Sequence, residues 1–179
     1  NVLRSANELG YALRQHAMSG EVPETLKTLR EFNTRRINIT LRSYKEVVHM
    51  FSTKDEPDLA ARYLEECLSE AKKIAEKAGA SASASSSSRP SEESNVVIQG
   101  QVRSNKKGVS NNYAWEVQPE VFKYVIDAYS RKSNSAQAIY WMDRMKEFTV
   151  SPTIPMYGAI VHSHALNGDS SGAQGWVDR

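Results

Sequence analysis

Apolar side chains along most of this chain recur every three to four residues, the spacing of one face of an α-helix. In residues 118–131 they occupy one face of a predicted helix, at Val121, Val125, Ile126 and Tyr129. A polar turn at 133–135 supplies N-cap residues for a second predicted helix over 136–148. Pro152 then ends the pair, because proline cannot continue a helix. The pattern predicts a helix–turn–helix unit.

This unit repeats with a period of 35 residues. Trp141-Met142-Asp143-Arg144 matches Trp176-Val177-Asp178-Arg179 at that offset, and Phe122 matches Tyr157. Two earlier units carry the same apolar positions, at Leu9, Leu13, Leu29 and Phe32 in the first and at Tyr44, Val48, Leu64 and Cys67 in the second. A repeat of this length is a helix pair that buries its apolar face only against its neighbours. The sequence therefore predicts an all-α superhelical solenoid of about four 35-residue repeats.

The register breaks once, between the second and third units. The equivalent residues Tyr44 and Phe122 lie 78 positions apart, so roughly forty extra residues separate these units. The expected organisation is repeats one and two in 1–78, an Ala/Ser-rich insertion with a basic cluster in 79–115, and repeats three and four in 116–179, the last incomplete. Within the insertion, Val96–Val102 is expected to form a short strand or to dock on a partner.

Composition narrows the function only slightly. The chain has 179 residues, 40% hydrophobic content, a formal charge of +2 and one cysteine, and no run is long and apolar enough to cross a membrane. We expect a processed chain, a fragment or part of a longer protein. No His, Cys or carboxylate set has metal-site or nucleophile spacing, so we expect no enzyme, no metal and no cofactor. His164 and Trp141 are predicted to be core residues.

The units resemble the pentatricopeptide repeat family. The resemblance rests on the 35-residue period, the early aromatic in the first helix, and Val150-Ser151-Pro152 five residues before Tyr157. The tetratricopeptide family is the rival, but it prefers 34 residues and a small residue where this chain has Val48, Ile126 and Val161. The resemblance implies binding of single-stranded or ribosomal RNA in a mitochondrion or plastid.

In the family, the residue after the first aromatic and one at the end of the unit read a base. In this chain the matching positions are Gly10 with Thr40, Lys45 with Ala75, Lys123 with Thr153, and Gly158. The small polar residues and the Asp or Asn usual there are absent. Glycine offers no hydrogen bond, and lysine favours phosphate over base discrimination. These positions therefore indicate that the chain distinguishes RNA sequences only weakly.

Positive charge is nevertheless clustered, which favours phosphate contact. The predicted RNA-binding residues are Arg35, Arg36, Arg42, Lys45, Arg103, Lys106, Lys107, Lys123 and Thr153. We expect a non-catalytic RNA-binding subunit of an organellar ribonucleoprotein, acting in RNA processing, RNA stability or ribosome-associated translation together with other proteins. One alternative is a sequence-specific transcript factor. The other is a protein–protein scaffold of the tetratricopeptide-like type.

Overall fold

The described part of the chain is built from four helix pairs. The computed structural model describes residues 5–84 and 117–178. The pairs are α1 (Ala6–Met18) with α2 (Val22–Thr34), α3 (Leu41–Thr53) with α4 (Pro57–Ala84), α5 (Pro119–Arg131) with α6 (Ser135–Glu147), and α7 (Ile154–Leu166) with α8 (Ser170–Val177). The predicted all-α solenoid of four repeats is confirmed for these residues.

The helices stack as two layers. The first helices lie side by side in the order α1, α3, α5 and α7, and each packs against the next. The second helices α2, α4 and α6 each pack against the first helix of their own unit and the first helix of the following unit. This nearest-neighbour arrangement is what a 35-residue repeat requires, since one helix pair cannot bury its apolar face alone.

The core repeats with the same register. Tyr44 and Phe122 occupy the same position in the first helices of their units, and Leu9 occupies it in the first unit. The residue four positions later is fully buried in all three units, at Leu13, Val48 and Ile126. Trp141 and Tyr63 are buried at equivalent positions in the second helices, as predicted from their periodicity. Trp141 packs near the ring of Phe122, with ring centroids 6.5 Å apart. Aromatic residues of the second helices therefore join the core.

Turn residues repeat as well. The turn inside each unit contains one residue with positive φ, at Gly20, Asp55, Ser133 and Gly168. A second left-handed residue follows α2 and α6, at Arg36 and Thr149, and helps to end those helices. The equivalent position of the second unit is Ala71, which lies inside α4. With no terminating residue there, α4 extends to 28 residues.

α4 extends into the first residues of the predicted insertion. The helix continues through 79–84, which composition had suggested was linker-like. Three of these six residues are alanine, the strongest helix former, so this stretch can extend an existing helix despite its low complexity. The remainder of the predicted insertion, including Val96–Val102, lies outside the described residues.

The second and third units pack directly on each other although residues 85–116 separate them in sequence. The Ser52 hydroxyl donates to the Tyr124 carbonyl at 2.6 Å, and Tyr129 Oη donates to Asp58 Oδ1 at 2.9 Å. Burial and this second hydrogen bond raise the pKa of the Tyr129 phenol, which keeps it a donor. Further contacts at the same interface are the pairs Arg131–Asp55 and Arg144–Glu65, at 3.2 and 2.9 Å. The solenoid is therefore continuous across the insertion.

The core position of Trp141 yields a first prediction. Trp141→Ala should destabilise the chain by about 3–5 kcal/mol, because it opens a cavity between α5 and α6. The measurement is urea unfolding followed by circular dichroism. Tyr140→Ala is the matched control, since Tyr140 is the adjacent aromatic and is 48% exposed. Equal losses for the two variants would contradict a core role for Trp141.

The fourth unit contains a histidine–carboxylate pair that caps a helix. Asp169 precedes α8 and accepts a hydrogen bond from the Gly172 backbone at 2.8 Å, while His164 Nδ1 lies 2.8 Å from its other oxygen. A Cβ at Gly172 would collide with both side chains, which explains the glycine. The backbone hydrogen bond, followed by the one from His164, lowers the pKa of Asp169.

The lowered pKa of Asp169 sets a pH dependence. A depressed folded-state pKa contributes stability above the ordinary carboxyl pKa, and that contribution is lost as pH falls through the folded-state value. The urea midpoint of the wild type should therefore fall below about pH 4 more steeply than that of Asp169→Asn. The two curves should converge in acid. Parallel curves over the whole range would show that the Asp169 carboxylate contributes no such linkage.

Candidate nucleic-acid interface

Two of the predicted cations meet at one cavity. Arg42 and Lys45 lie in the first turns of α3 and line a cavity of about 770 Å³ between the second and third units. The opposite wall comes from the extended part of α4, with Lys73 and Ile74, and from Gln118 before α5. Had α4 ended where α2 and α6 end, Lys73 and Ile74 would not form this wall. The cavity is thus a consequence of the missing helix terminator.

Arg42 is an accessible charge at this cavity. Its side chain is exposed, and among the described residues it makes no ion pair. Lys45 is half-buried, and its Nζ donates to Gln118 Oε1 at 2.8 Å. That partner is neutral, so the charge of Lys45 is held in place without being cancelled. Arg42 and Lys45 together present two positive charges from one helix face.

The other lining charges reduce the net potential. Lys73 Nζ pairs with Glu70 Oε1 at 2.6 Å, so these two cancel. Glu46 also lines the cavity and opposes Arg42 and Lys45. Apolar walls are supplied by Ile39, Leu41, Ile74 and Val121. The cavity is therefore mildly positive and partly apolar.

The remaining predicted cations differ in whether they form ion pairs and in where they lie. Lys123 lies on α5 in the register of Lys45 but forms an ion pair with Asp127. Arg35 pairs with Glu31 at 3.0 Å, and Arg36 is exposed at the end of α2. Neither Arg35 nor Arg36 lines the cavity. Arg103, Lys106 and Lys107 lie outside the described residues.

Most of the positions that would read bases lack a side chain suited to it. Gly10 is buried, and Ala75 is buried within α4. Thr40 is the N-cap of α3, where its hydroxyl accepts a hydrogen bond from the Ser43 backbone at 3.3 Å. Thr153 is the N-cap of α7 and is half-buried. Gly158 has open space where a Cβ would lie. Glycine or alanine at three of these positions offers no side-chain hydrogen bond.

Several lining residues were not found from sequence. Lys73 and Ile74 belong to a part of α4 with no equivalent in the other units, and Gln118 lies outside the expected base-reading register. The i,i+4 pairings of Lys123 with Asp127 and of Arg35 with Glu31 were also missed, although their spacing signals them. Because Lys123 and Arg35 form these ion pairs, fewer of the predicted cations are available to a ligand.

The histidines have different surroundings. His16 pairs with Glu21 at 2.8 Å, and His49 packs on the Tyr124 ring, with centroids 4.5 Å apart, so both have partners that the sequence did not reveal. His164 is largely buried, as predicted, and His162 is exposed on the same helix. Across the described ranges, no group of three or more His, Cys, Asp or Glu side chains could hold a metal ion. No described helix has the length and apolarity to cross a membrane.

Comparisons with known proteins gave matches among solved structures alone. No family model matches the chain, and no curated protein matches it. Among solved structures, the chain is similar to the crystal structure of the pentatricopeptide repeat protein PPR10 from maize, with 12% sequence identity and a TM-score of 0.36. The match covers 97% of this chain and 24% of the maize chain, so this chain spans about a quarter of that protein's length.

The cysteine at the cavity wall provides a test of its packing. Cys67 is 3% exposed, and burial raises the pKa of its thiol to about 12. We expect a thiol reagent at pH 8 to label the native chain far more slowly than the urea-unfolded chain. Mass spectrometry of the labelled protein measures this. Rapid labelling of the native chain would mean that the cavity opens as far as the Cys67 sulfur.

Proposed function

We propose that this chain is a non-catalytic, pentatricopeptide-like RNA-binding protein that contacts the phosphates of single-stranded or ribosomal RNA. We further propose that it acts with other proteins in an organellar ribonucleoprotein of a mitochondrion or plastid, in RNA processing, RNA stability or ribosome-associated translation. The observation that carries the proposal is the exposed Arg42, which makes no ion pair within residues 5–84 and 117–178, beside Lys45 at the junction of two repeats. No cofactor is required.

The charge arrangement favours phosphate over base recognition. Arg42 supplies a guanidinium that can donate two parallel hydrogen bonds to one phosphate. Lys45 supplies a point charge from the same helix, and Gln118 holds it in position. Gly10, Ala75 and Gly158 have no side chain that could hydrogen-bond to a base, so the affinity for RNA would come from these charges. Binding should therefore depend on salt and tolerate changes of RNA sequence.

A protein–protein scaffold is the second candidate, and the lining of the cavity favours it. Ile39, Ile74 and Val121 give the cavity apolar walls, and Glu46 opposes its positive charge. An amphipathic peptide with one acidic residue would fit this chemistry. Such a partner would be held mainly by apolar contact, so its affinity would change little with salt concentration.

Reversal of the two charges tests the RNA proposal. Arg42→Glu with Lys45→Glu should abolish the binding of a labelled single-stranded RNA, measured by fluorescence anisotropy. For each single variant, the slope of log affinity against log salt should become shallower by about 0.7 per lost phosphate contact. Binding that is unchanged in the double variant would contradict this surface.

Two matched controls sharpen the experiment. Lys27→Glu makes the same charge change at an exposed site on α2 and should leave affinity close to that of the wild type. Arg35→Glu should have less effect than Arg42→Glu, because Arg35 is paired with Glu31 and lies outside the cavity lining. If Arg42→Glu, Lys27→Glu and Arg35→Glu weaken binding equally, the net charge of the chain determines RNA affinity, and the cavity has no special role.

A further inference from the structure

The second helices of the first two units face each other across a polar cleft. No Cα atom of α2 lies within 8 Å of a Cα atom of α4 in these two described helices, and the space between them has a volume of about 440 Å³. Leu29, Phe32 and Leu59 give it apolar walls. We call this space the α2–α4 cleft. Both of its walls belong to described units, so its opening does not result from a missing neighbour.

The next junction bridges the same position with an ion pair. Between the second and third units, Arg144 of α6 pairs with Glu65 of α4 at 2.9 Å. The repeat register places Glu66 and Arg30 at the equivalent positions of the first junction, with the two charges exchanged. Both residues line the cleft, yet they form no ion pair with each other. Glu66 pairs instead with Arg62 of its own helix, at 3.4 Å, which leaves Arg30 without a carboxylate partner among the described residues.

Three hydrogen-bond donors for an anion meet in the cleft. The guanidinium of Arg62 lies over the Tyr63 ring, 5.8 Å from its centroid, and the Phe51 ring stacks on Tyr63 at 5.4 Å. Tyr63 is 8% exposed and lines the cleft, and its hydroxyl has no hydrogen-bond partner within residues 5–84 and 117–178. Burial raises the pKa of this phenol against the opposing charges of Arg62 and Arg30. Two guanidiniums beside a protonated phenol suit a phosphate group.

Hydrogen-bond acceptors follow along the same wall. Glu66 and Glu70 lie one and two turns beyond Arg62 on α4, and both line the cleft. Each carboxylate uses Oε1 in its ion pair, with Arg62 and Lys73 respectively, so Oε2 can accept a hydrogen bond from a ligand. Tyr44 is 5% exposed, lines the cleft and has no hydrogen-bond partner for its hydroxyl in the described ranges. Burial, followed by the two carboxylates, raises its pKa, so it remains a donor.

We propose that the α2–α4 cleft binds one ribonucleotide, its phosphate held by the two arginines and its sugar hydroxyls by the two carboxylates. Carboxylates repel a phosphate but accept hydrogen bonds from hydroxyl groups, so they orient the ligand along the cleft. The apolar walls provide a surface for the base. The volume lies in the range of pockets that enclose a small organic ligand. This site is centred on Arg30, away from Arg42 and Lys45, and does not depend on RNA binding there.

Two-dimensional amide NMR of the isotope-labelled full chain, titrated with uridine 5′-monophosphate, tests the proposal. The wild type should show saturable shifts in α2 and α4. Arg30→Gln should weaken the affinity by about tenfold, because it removes a charged hydrogen-bond donor. Lys27→Gln is the matched control: it removes the same charge one turn earlier on α2, outside the cleft lining, and should bind like the wild type. Absence of saturable shifts in the wild type, or equal affinities of wild type and Arg30→Gln, overturns the proposal.

The deoxyribonucleotide tests the contact with the sugar. 2′-Deoxyuridine 5′-monophosphate lacks one hydroxyl and should bind more weakly than the ribonucleotide to the wild type. Glu66→Gln should reduce this difference, because an amide oxygen accepts a hydrogen bond less strongly than a carboxylate. Equal affinity of the wild type for the two nucleotides overturns the assignment of a ribonucleotide. Circular dichroism verifies that each variant folds.

Labelled single-stranded RNA identifies the source of the nucleotide. If the cleft holds a nucleotide of an RNA strand, Arg30→Gln should weaken RNA binding as well as the binding of uridine 5′-monophosphate. If it holds a free nucleotide, Arg30→Gln should lose only the latter. Nucleotide binding that is insensitive to Arg30→Gln, combined with RNA binding that is lost in the Arg42 and Lys45 double variant, overturns this inference and supports the proposed function.

Discussion

The whole structure depends on each helix pair covering the apolar side of its neighbour. The interface between the second and third units shows this most clearly, because residues 85–116 separate them in sequence. Tyr129–Asp58, Arg131–Asp55 and Arg144–Glu65 nevertheless join them in the same register as a continuous array would. The free-energy cost of closing a connection rises only slowly with its length. A long insertion at this site is therefore compatible with the stacking that stabilises both halves.

Much of the fold could be predicted because stacking imposes a fixed period on the sequence. The match of Trp141 with Trp176 located four units, and the helix over 118–131 was placed within one residue of α5 at its start. The length of α4 could not be predicted in the same way. It depends on the absence of a left-handed residue at Ala71, and Arg36 and Thr149 show that residues other than glycine can fill that role. Neither is the glycine or asparagine that usually signals such a terminator.

The candidate interface was only partly predictable from sequence. Arg42 and Lys45 were identified from their clustering, which indicates positive potential but not which charges remain free. Lys123 is paired with Asp127 one turn along its own helix, which spacing does signal, whereas Lys45 meets a neutral amide from the next unit. The amide of Gln118 lies 73 residues away along the chain, so no local pattern reveals it.

The geometry connects the missing helix terminator to the chemistry of the cavity. Because α4 continues past Ala71, it carries Lys73 and Ile74 to the wall opposite Arg42 and buries Ala75, a position where the resemblance to pentatricopeptide repeats would place a base-reading side chain. The same change that opens space for a ligand thus removes a side chain that would select one by sequence. What remains is charge from Arg42 and Lys45, held against apolar walls. Such a site can retain a flexible anionic chain by its charge without selecting it by sequence, which is what the proposed RNA-binding role requires.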